Sequence, residues 1–258
     1  MSIRLIDGSE FLHIPKTGGT WVREVLDRQG LIKGPVGGHE HANYDRVVFE
    51  THQRKRPGKQ SGLVRRIKQI ASGTQPAVSD QSKKTFRFCF VRHPLAWYES
   101  WWKYMNARDW NEWGDSSVAG GWHPNLAING LGSSDFNKFV CNVIDARPGY
   151  VSELYFSYAK LGVSFIGKTE SLADDLITVA EHLGLPADIE AIKHHGPVNA
   201  STTSDQAIEW DPVVRQTLMR LELPALVHFG YLHASELEEL GLPGTLKTAQ
   251  ALQRIVSA

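Results

Sequence analysis

Two cysteines, Cys89 and Cys141, are all that the 258 residues contain, which is too few for a disulfide scaffold. Cys89 lies inside the apolar run Phe88-Cys89-Phe90-Val91, where a buried free thiol is expected, and a reducing cytoplasm fits that usage. Net charge is lacking as well. Lysine plus arginine and aspartate plus glutamate number 28 each, so no global field favours nucleic acid or an anionic membrane, and any anion site has to be local. No apolar stretch approaches the length of a membrane span, and the N-terminus lacks the charged, apolar and small-residue succession of a signal peptide. GxxxxGK[ST] occurs nowhere, which removes the ATP-binding Walker A loop. There is no internal repeat. With 41% hydrophobic and 22% charged residues, the composition is that of an ordinary soluble protein, and the length suits one sizeable domain spanning 1–258.

What is present begins with Phe11-Leu12-His13-Ile14-Pro15-Lys16-Thr17-Gly18-Gly19-Thr20-Trp21. Apolar residues up to Ile14 suit a buried strand, the paired glycines suit a tight turn with exposed amides, and Val22, Val25 and Leu26 recur at helical spacing. An anion at such a turn meets unpaired amides and the positive end of a helix. Lys16 adds a mobile point charge, and Thr17 and Thr20 add hydroxyl donors. Lys16 precedes the glycines, the reverse of the Walker order.

Further on, Gly30 and Gly34 mark a loop, and Val47-Val48-Phe49 reads as a second strand. Over 53–84 there are nine lysines and arginines against Asp80 alone, with few large apolar residues, which reads as a mobile surface insertion. Phe86 to Val91 predicts a strand. It is followed by Arg92-His93-Pro94 and a helix through Trp97 to about Tyr104, with Pro94 at an early position. Phe136, Val140 and Ile144 suit a helix, Val163 to Ile166 a strand, and Leu172, Leu176, Val179 and Leu183 an amphipathic helix ended by Gly184 and Pro186. The C-terminal third reads as helical, with Trp210, Val214 and Leu218 on one face and a last segment at 246–256. Alternating strands and helices predict an α/β domain with a mostly parallel sheet flanked by helices, binding ligands at the carboxyl ends of its strands. Lys16 and Arg92 both fall there.

Ser100 follows Arg92 by eight residues, about two helical turns on, so an arginine fork and a hydroxyl can reach one phosphate over the helix start. A lysine-bearing turn after the first strand and an Arg-Ser pair after a later one together resemble the sulfotransferases that use 3′-phosphoadenosine 5′-phosphosulfate (PAPS). In them the sequence around Pro15-Lys16-Thr17-Gly18-Gly19-Thr20 is similar to the 5′-phosphosulfate loop, with Trp21 beside it a further candidate for cofactor binding. Val91-Arg92-His93-Pro94 through Ser100 is similar to the 3′-phosphate motif. The "HIPKTGG" form resembles most the branch that includes carbohydrate 2-O-sulfotransferases and bacterial relatives. Trp97 stands where the usual "RNPxxR" has its second arginine, and His93 where it has asparagine. Ile166-Gly167-Lys168-Thr169-Glu170-Ser171-Leu172 resembles "IGRxExL", and Phe229-Gly230-Tyr231 resembles a C-terminal "FGY".

The resemblance implies a P-loop-kinase-like sulfotransferase fold. It implies transfer of the sulfuryl group of PAPS to an acceptor hydroxyl, of a carbohydrate or another small molecule, with release of adenosine 3′,5′-bisphosphate and no need of metal. Lys16 would stabilise charge on the leaving oxygen. The amides of Gly18, Gly19 and Thr20 would hold the 5′-phosphate. His39, in Gly38-His39-Glu40-His41-Ala42, is similar to the "HxxA" segment of this branch and is the first candidate for general base, with His41 the second and Glu40 orienting either ring. His39 and His41, His194 and His195, and His13 could assemble a metal cluster, but among the 11 histidines no short spacing typical of a zinc site occurs and there are only two cysteines, so no metal is expected. Six of the eight tryptophans lie between Trp97 and Trp122; Trp101 and Trp102 suit packing, whereas Trp110, Trp113 and Trp122 suit an acceptor-binding lid. The basic insertion could attract a polyanionic acceptor. The rival readings are a nucleotide-dependent phosphotransferase and a non-catalytic nucleotide-binding module.

Overall fold

The structure is a computed structural model that describes residues 1–54, 85–110, 122–198 and 208–232, with 237–238 and 240–241. Most of the basic stretch at 53–84, Trp113 and the segment at 246–256 lie outside the described residues.

The chain runs β1 (Ile3–Leu5), β2 (Glu10–Leu12), α1 (Gly19–Arg28), β3 (Ile32–Pro35), α2 (Tyr44–Arg54), β4 (Arg87–Val91) and α3 (Pro94–Asn106). It continues with α4 (Phe136–Ala146), α5 (Tyr150–Tyr158), β5 (Phe165–Lys168), α6 (Leu172–Leu183), α7 (Ile189–Lys193), α8 (Pro212–Leu221) and α9 (Leu223–His228).

The five strands form one sheet in the order β3-β1-β2-β4-β5. β2, β4 and β5 pair in parallel, in registers that set Phe11 against Phe88 and Val91 against Lys168. β1 runs antiparallel to both β2 and β3. The sheet is therefore mixed, not mostly parallel as the alternation of strands and helices predicts. The cause is local: Asp7-Gly8-Ser9 turns the chain back on itself, Gly8 taking φ +94° and Ser9 accepting from the Leu5 amide at 2.9 Å. A three-residue strand on either side of such a turn leaves too short a period to read.

Val47-Val48-Phe49 is a further correction, since it lies within helix α2 rather than in a strand. Asn43 starts that helix, its side-chain oxygen accepting from the Arg46 amide at 3.2 Å and its carbonyl from Val47 at 3.1 Å. Val47 is buried while Phe49 is 66% exposed, a one-sided burial that overrides the β preference of the three residues. Strand β3, in turn, occupies what reads as the Gly30 to Gly34 loop.

Every residue of β4 is buried, and its side chains alternate between two apolar layers. Phe88 and Phe90 join Phe11, Val22, Val25 and Leu26 beneath α1 and α6. Cys89 and Val91 join Leu12, Trp97, Tyr98, Phe139 and Tyr155 beneath α3, α4 and α5. Parallel pairing puts the segments after β2, β4 and β5 at one edge of the sheet. At the other end, buried Glu10 takes hydrogen bonds from Arg4 at 2.6 Å and Arg87 at 2.8 Å.

Candidate anion site at the sheet edge

The segment after β2 turns on Lys16, whose φ of 65° is left-handed, a conformation that costs a non-glycine residue about 1–2 kcal/mol. Gly18 follows at φ 79° as the N-cap of α1, and no side chain caps the helix. A Cβ on Gly18 would lie 2.6 Å from Leu172, and one on Gly19 would lie 1.8 Å from the His13 ring. Both positions therefore require glycine, and the amides of the first helical turn are left to an incoming anion. Thr20 is half-buried in that turn. Thr17 is not available as a donor: fully buried, it gives its hydroxyl proton to the Ile14 carbonyl at 3.0 Å. The Trp21 indole N–H is likewise spent, on the Gly196 carbonyl at 3.1 Å.

After β4, the backbone of Arg92 is held on both sides by Tyr155, whose hydroxyl accepts from the Arg92 amide at 3.2 Å and donates to its carbonyl at 2.8 Å. His93, at the usual asparagine position, donates its amide to Glu170 at 2.8 Å and sets its ring 5.3 Å from that of Tyr231. Tyr231 donates to the other oxygen of Glu170 at 3.0 Å. The two late segments, around Glu170 and Tyr231, thus brace the Arg92 turn. Ser100 is half-buried on α3. Trp97, at the usual arginine position, is fully buried and donates to the Pro15 carbonyl at 2.8 Å.

Three cations meet at this edge. Lys16 Nζ lies 4.2 Å from the centre of the Tyr104 ring and the Arg108 guanidinium 3.8 Å from it. Burial first, and then repulsion from Arg92 and Arg108, lowers the Lys16 pKa from 10.5 to about 8. Among the described residues no carboxylate pairs with Lys16, Arg92 or Arg108. Arg108 and Tyr104 escape a reading by motif, because they enter through the far end of α3.

Beside the cations lie four histidines. His41 and His13 rings are 4.4 Å apart, and those of His41 and His123 5.2 Å. His39 lies 5.8 Å from His123 and 5.2 Å from Trp122, over which Arg46 stacks at 4.5 Å. His39 Nδ1 accepts the His41 amide at 3.0 Å, so the neutral ring carries its proton on Nε2. His41 is the opposite case. Its Nδ1 is 3.1 Å from the His13 carbonyl, which can only accept, so Nδ1 is protonated and Nε2 has a free lone pair. Burial, followed by smaller charge effects that include Lys16, lowers the His41 pKa to about 3; burial and Arg46 lower that of His39. Of the tryptophans read as a lid, Trp122 is at the site. Trp110, half-buried, packs on Phe139 at 5.2 Å, against the core.

No described helix is long and apolar enough to cross a membrane. Comparison of the chain with protein-family models, curated proteins and solved structures finds no match.

Proposed function

We propose that the protein is a PAPS-dependent sulfotransferase with a P-loop-kinase-like sulfotransferase fold. The observation that carries the reading is the convergence of Lys16 and Arg92 at one sheet edge, with no carboxylate among the described residues to neutralise either. PAPS carries phosphate charge at both ends of an adenosine, so a protein that binds it needs two separated anion sites. The turn at Gly18-Gly19-Thr20 supplies one, and Arg92 with Ser100 supplies the other.

In the reaction the bond between sulfur and the bridging oxygen of the donor breaks, and the acceptor oxygen bonds to sulfur. Negative charge grows on the released oxygen of adenosine 3′,5′-bisphosphate, where Lys16 stabilises it. The acceptor proton goes to His41 Nε2. This assignment reverses the order expected from sequence, because the hydrogen bond to His39 leaves that ring's Nε2 protonated. A low pKa keeps His41 neutral and able to accept, and the bound polyanion raises it towards the range of a working base. His39, Trp122 and Arg46 border the acceptor side, where an aromatic face and a cation suit a carbohydrate or another small hydroxyl compound.

The test is transfer of labelled sulfuryl from PAPS to a panel of hydroxyl acceptors. The expected result is labelled product with equimolar bisphosphate released, and near-complete loss of transfer in Lys16→Ala while bisphosphate still binds. Thermal stabilisation by ATP with magnesium but not by bisphosphate would point to a phosphotransferase, and bisphosphate binding with no transfer to any acceptor would point to a binding module.

A further inference from the structure

Behind the cation cluster, His13 at the end of β2 meets Glu40 and His41 from the segment between β3 and α2. One donor atom from each, a ring nitrogen from either histidine and a carboxylate oxygen from Glu40, lies within 4.8 Å of the other two. We propose that His13, Glu40 and His41 form a binding site for a divalent transition metal of the zinc class.

The donor set is the first argument. Two imidazoles and a carboxylate suit Zn²⁺ and Co²⁺, and three protein ligands leave a coordination position for water. Preorganisation is the second. The His13 ring is held against Gly19, whose absent Cβ would fall 1.8 Å from it. His41 is oriented by its Nδ1 bond to the His13 carbonyl at 3.1 Å, and the Tyr158 hydroxyl fixes its backbone by donating to the His41 carbonyl. A partner carbonyl of this kind is what orients metal-binding histidines. The third argument is that two of the ligands already share one cation: the Met1 nitrogen lies 2.6 Å from His13 Nδ1 and 3.5 Å from Glu40 Oε1. Bonds of about 2.0–2.2 Å place tetrahedral ligands roughly 3.3–3.6 Å apart. Closing to that spacing takes movement on the order of 1 Å, which the Glu40 side chain, 49% exposed, can supply.

The ligands are 27 and 28 residues apart in sequence, from His13 to Glu40 and His41, which is why spacing does not reveal them. One consequence rests on the sulfuryl-transfer reading: a metal on the His41 ring lowers its basicity, so the metal-bound protein is silent in transfer.

Cobalt(II) titrated into the metal-free full chain, with neither donor nor acceptor present, tests the site directly and independently of any transfer activity. Visible absorption of low-coordinate cobalt should saturate at about one equivalent and be displaced by Zn²⁺. Glu40→Gln should weaken binding at least tenfold and His41→Gln should abolish it, with far-UV circular dichroism unchanged in both. His194→Gln/His195→Gln, at an exposed and a half-buried position beyond α7, should bind as the wild type does. No saturable binding, wild-type affinity in both ligand variants, or loss in the His194/His195 variant would overturn the proposal.

Discussion

The Trp97 indole donates to the Pro15 carbonyl across 2.8 Å, tying the helix after β4 to the turn that carries Lys16. Where the "RNPxxR" segment of the resembled sulfotransferases has its second arginine, this chain has a fully buried indole that joins the Lys16 and Arg92 turns from within. Trp97→Phe leaves the Pro15 carbonyl unpaired, and denaturant unfolding should show a loss of about 1–3 kcal/mol. Trp97→Arg, which buries an unpaired charge, should lose more. If Trp97→Phe is as stable as wild type, the bond does not join the loops.

Lys16 should make the protein less stable while making it active. Its pKa falls from 10.5 to about 8 on folding, which at 1.36 kcal/mol per unit amounts to about 3 kcal/mol. Between those two pH values the unfolded chain holds a proton that the folded chain has released, so stability rises with pH across that window. The penalty is fully present below about pH 8. Lys16→Met should therefore unfold at higher urea than wild type at pH 7, and the gap should close as pH passes 10. A gap independent of pH would refute the charge as its cause.

The two candidate bases separate by turnover. His41→Ala should lower kcat by about 10²–10⁴-fold with little change in bisphosphate affinity. His39→Ala should act chiefly on acceptor KM, since that ring borders Trp122 at 5.2 Å. The reverse pattern would return the base to His39.

Gly19→Ala sets a methyl group 1.8 Å from the buried His13 ring, and the displaced turn should cost at least about 1–3 kcal/mol together with most donor affinity. Gly30→Ala is the comparison: φ there is +66° but nothing lies within 4 Å, so only backbone strain is added and donor affinity should stay near wild type.

Where a motif carried its own geometry, the sequence was a good guide. Phe86 to Val91 and the helix from Pro94 stand as read, because an apolar run followed by proline leaves few alternatives. Gly184 ends α6 at φ 61°, as a glycine after an amphipathic run should. Val47-Val48-Phe49 misled because a single polar cap, Asn43, and one buried contact at Val47 decided the helix. β1 and β3 have three and four residues, shorter than any readable period, and it is β1 that makes the sheet mixed. At the site, Lys16 and Arg92 were legible as motif residues. Arg108, Tyr104 and His123 were not, since only tertiary packing brings them in. The order of His39 and His41 depends on which ring nitrogen is hydrogen-bonded, which no sequence displays.

Binding of adenosine 3′,5′-bisphosphate, measured by titration calorimetry with no metal present, tests the central claim most directly. One bisphosphate should bind per chain, with affinity at least tenfold weaker in Arg92→Ala and falling as salt rises. Absence of binding, or equal affinity in wild type and Arg92→Ala, would contradict a two-ended nucleotide site built on Lys16 and Arg92.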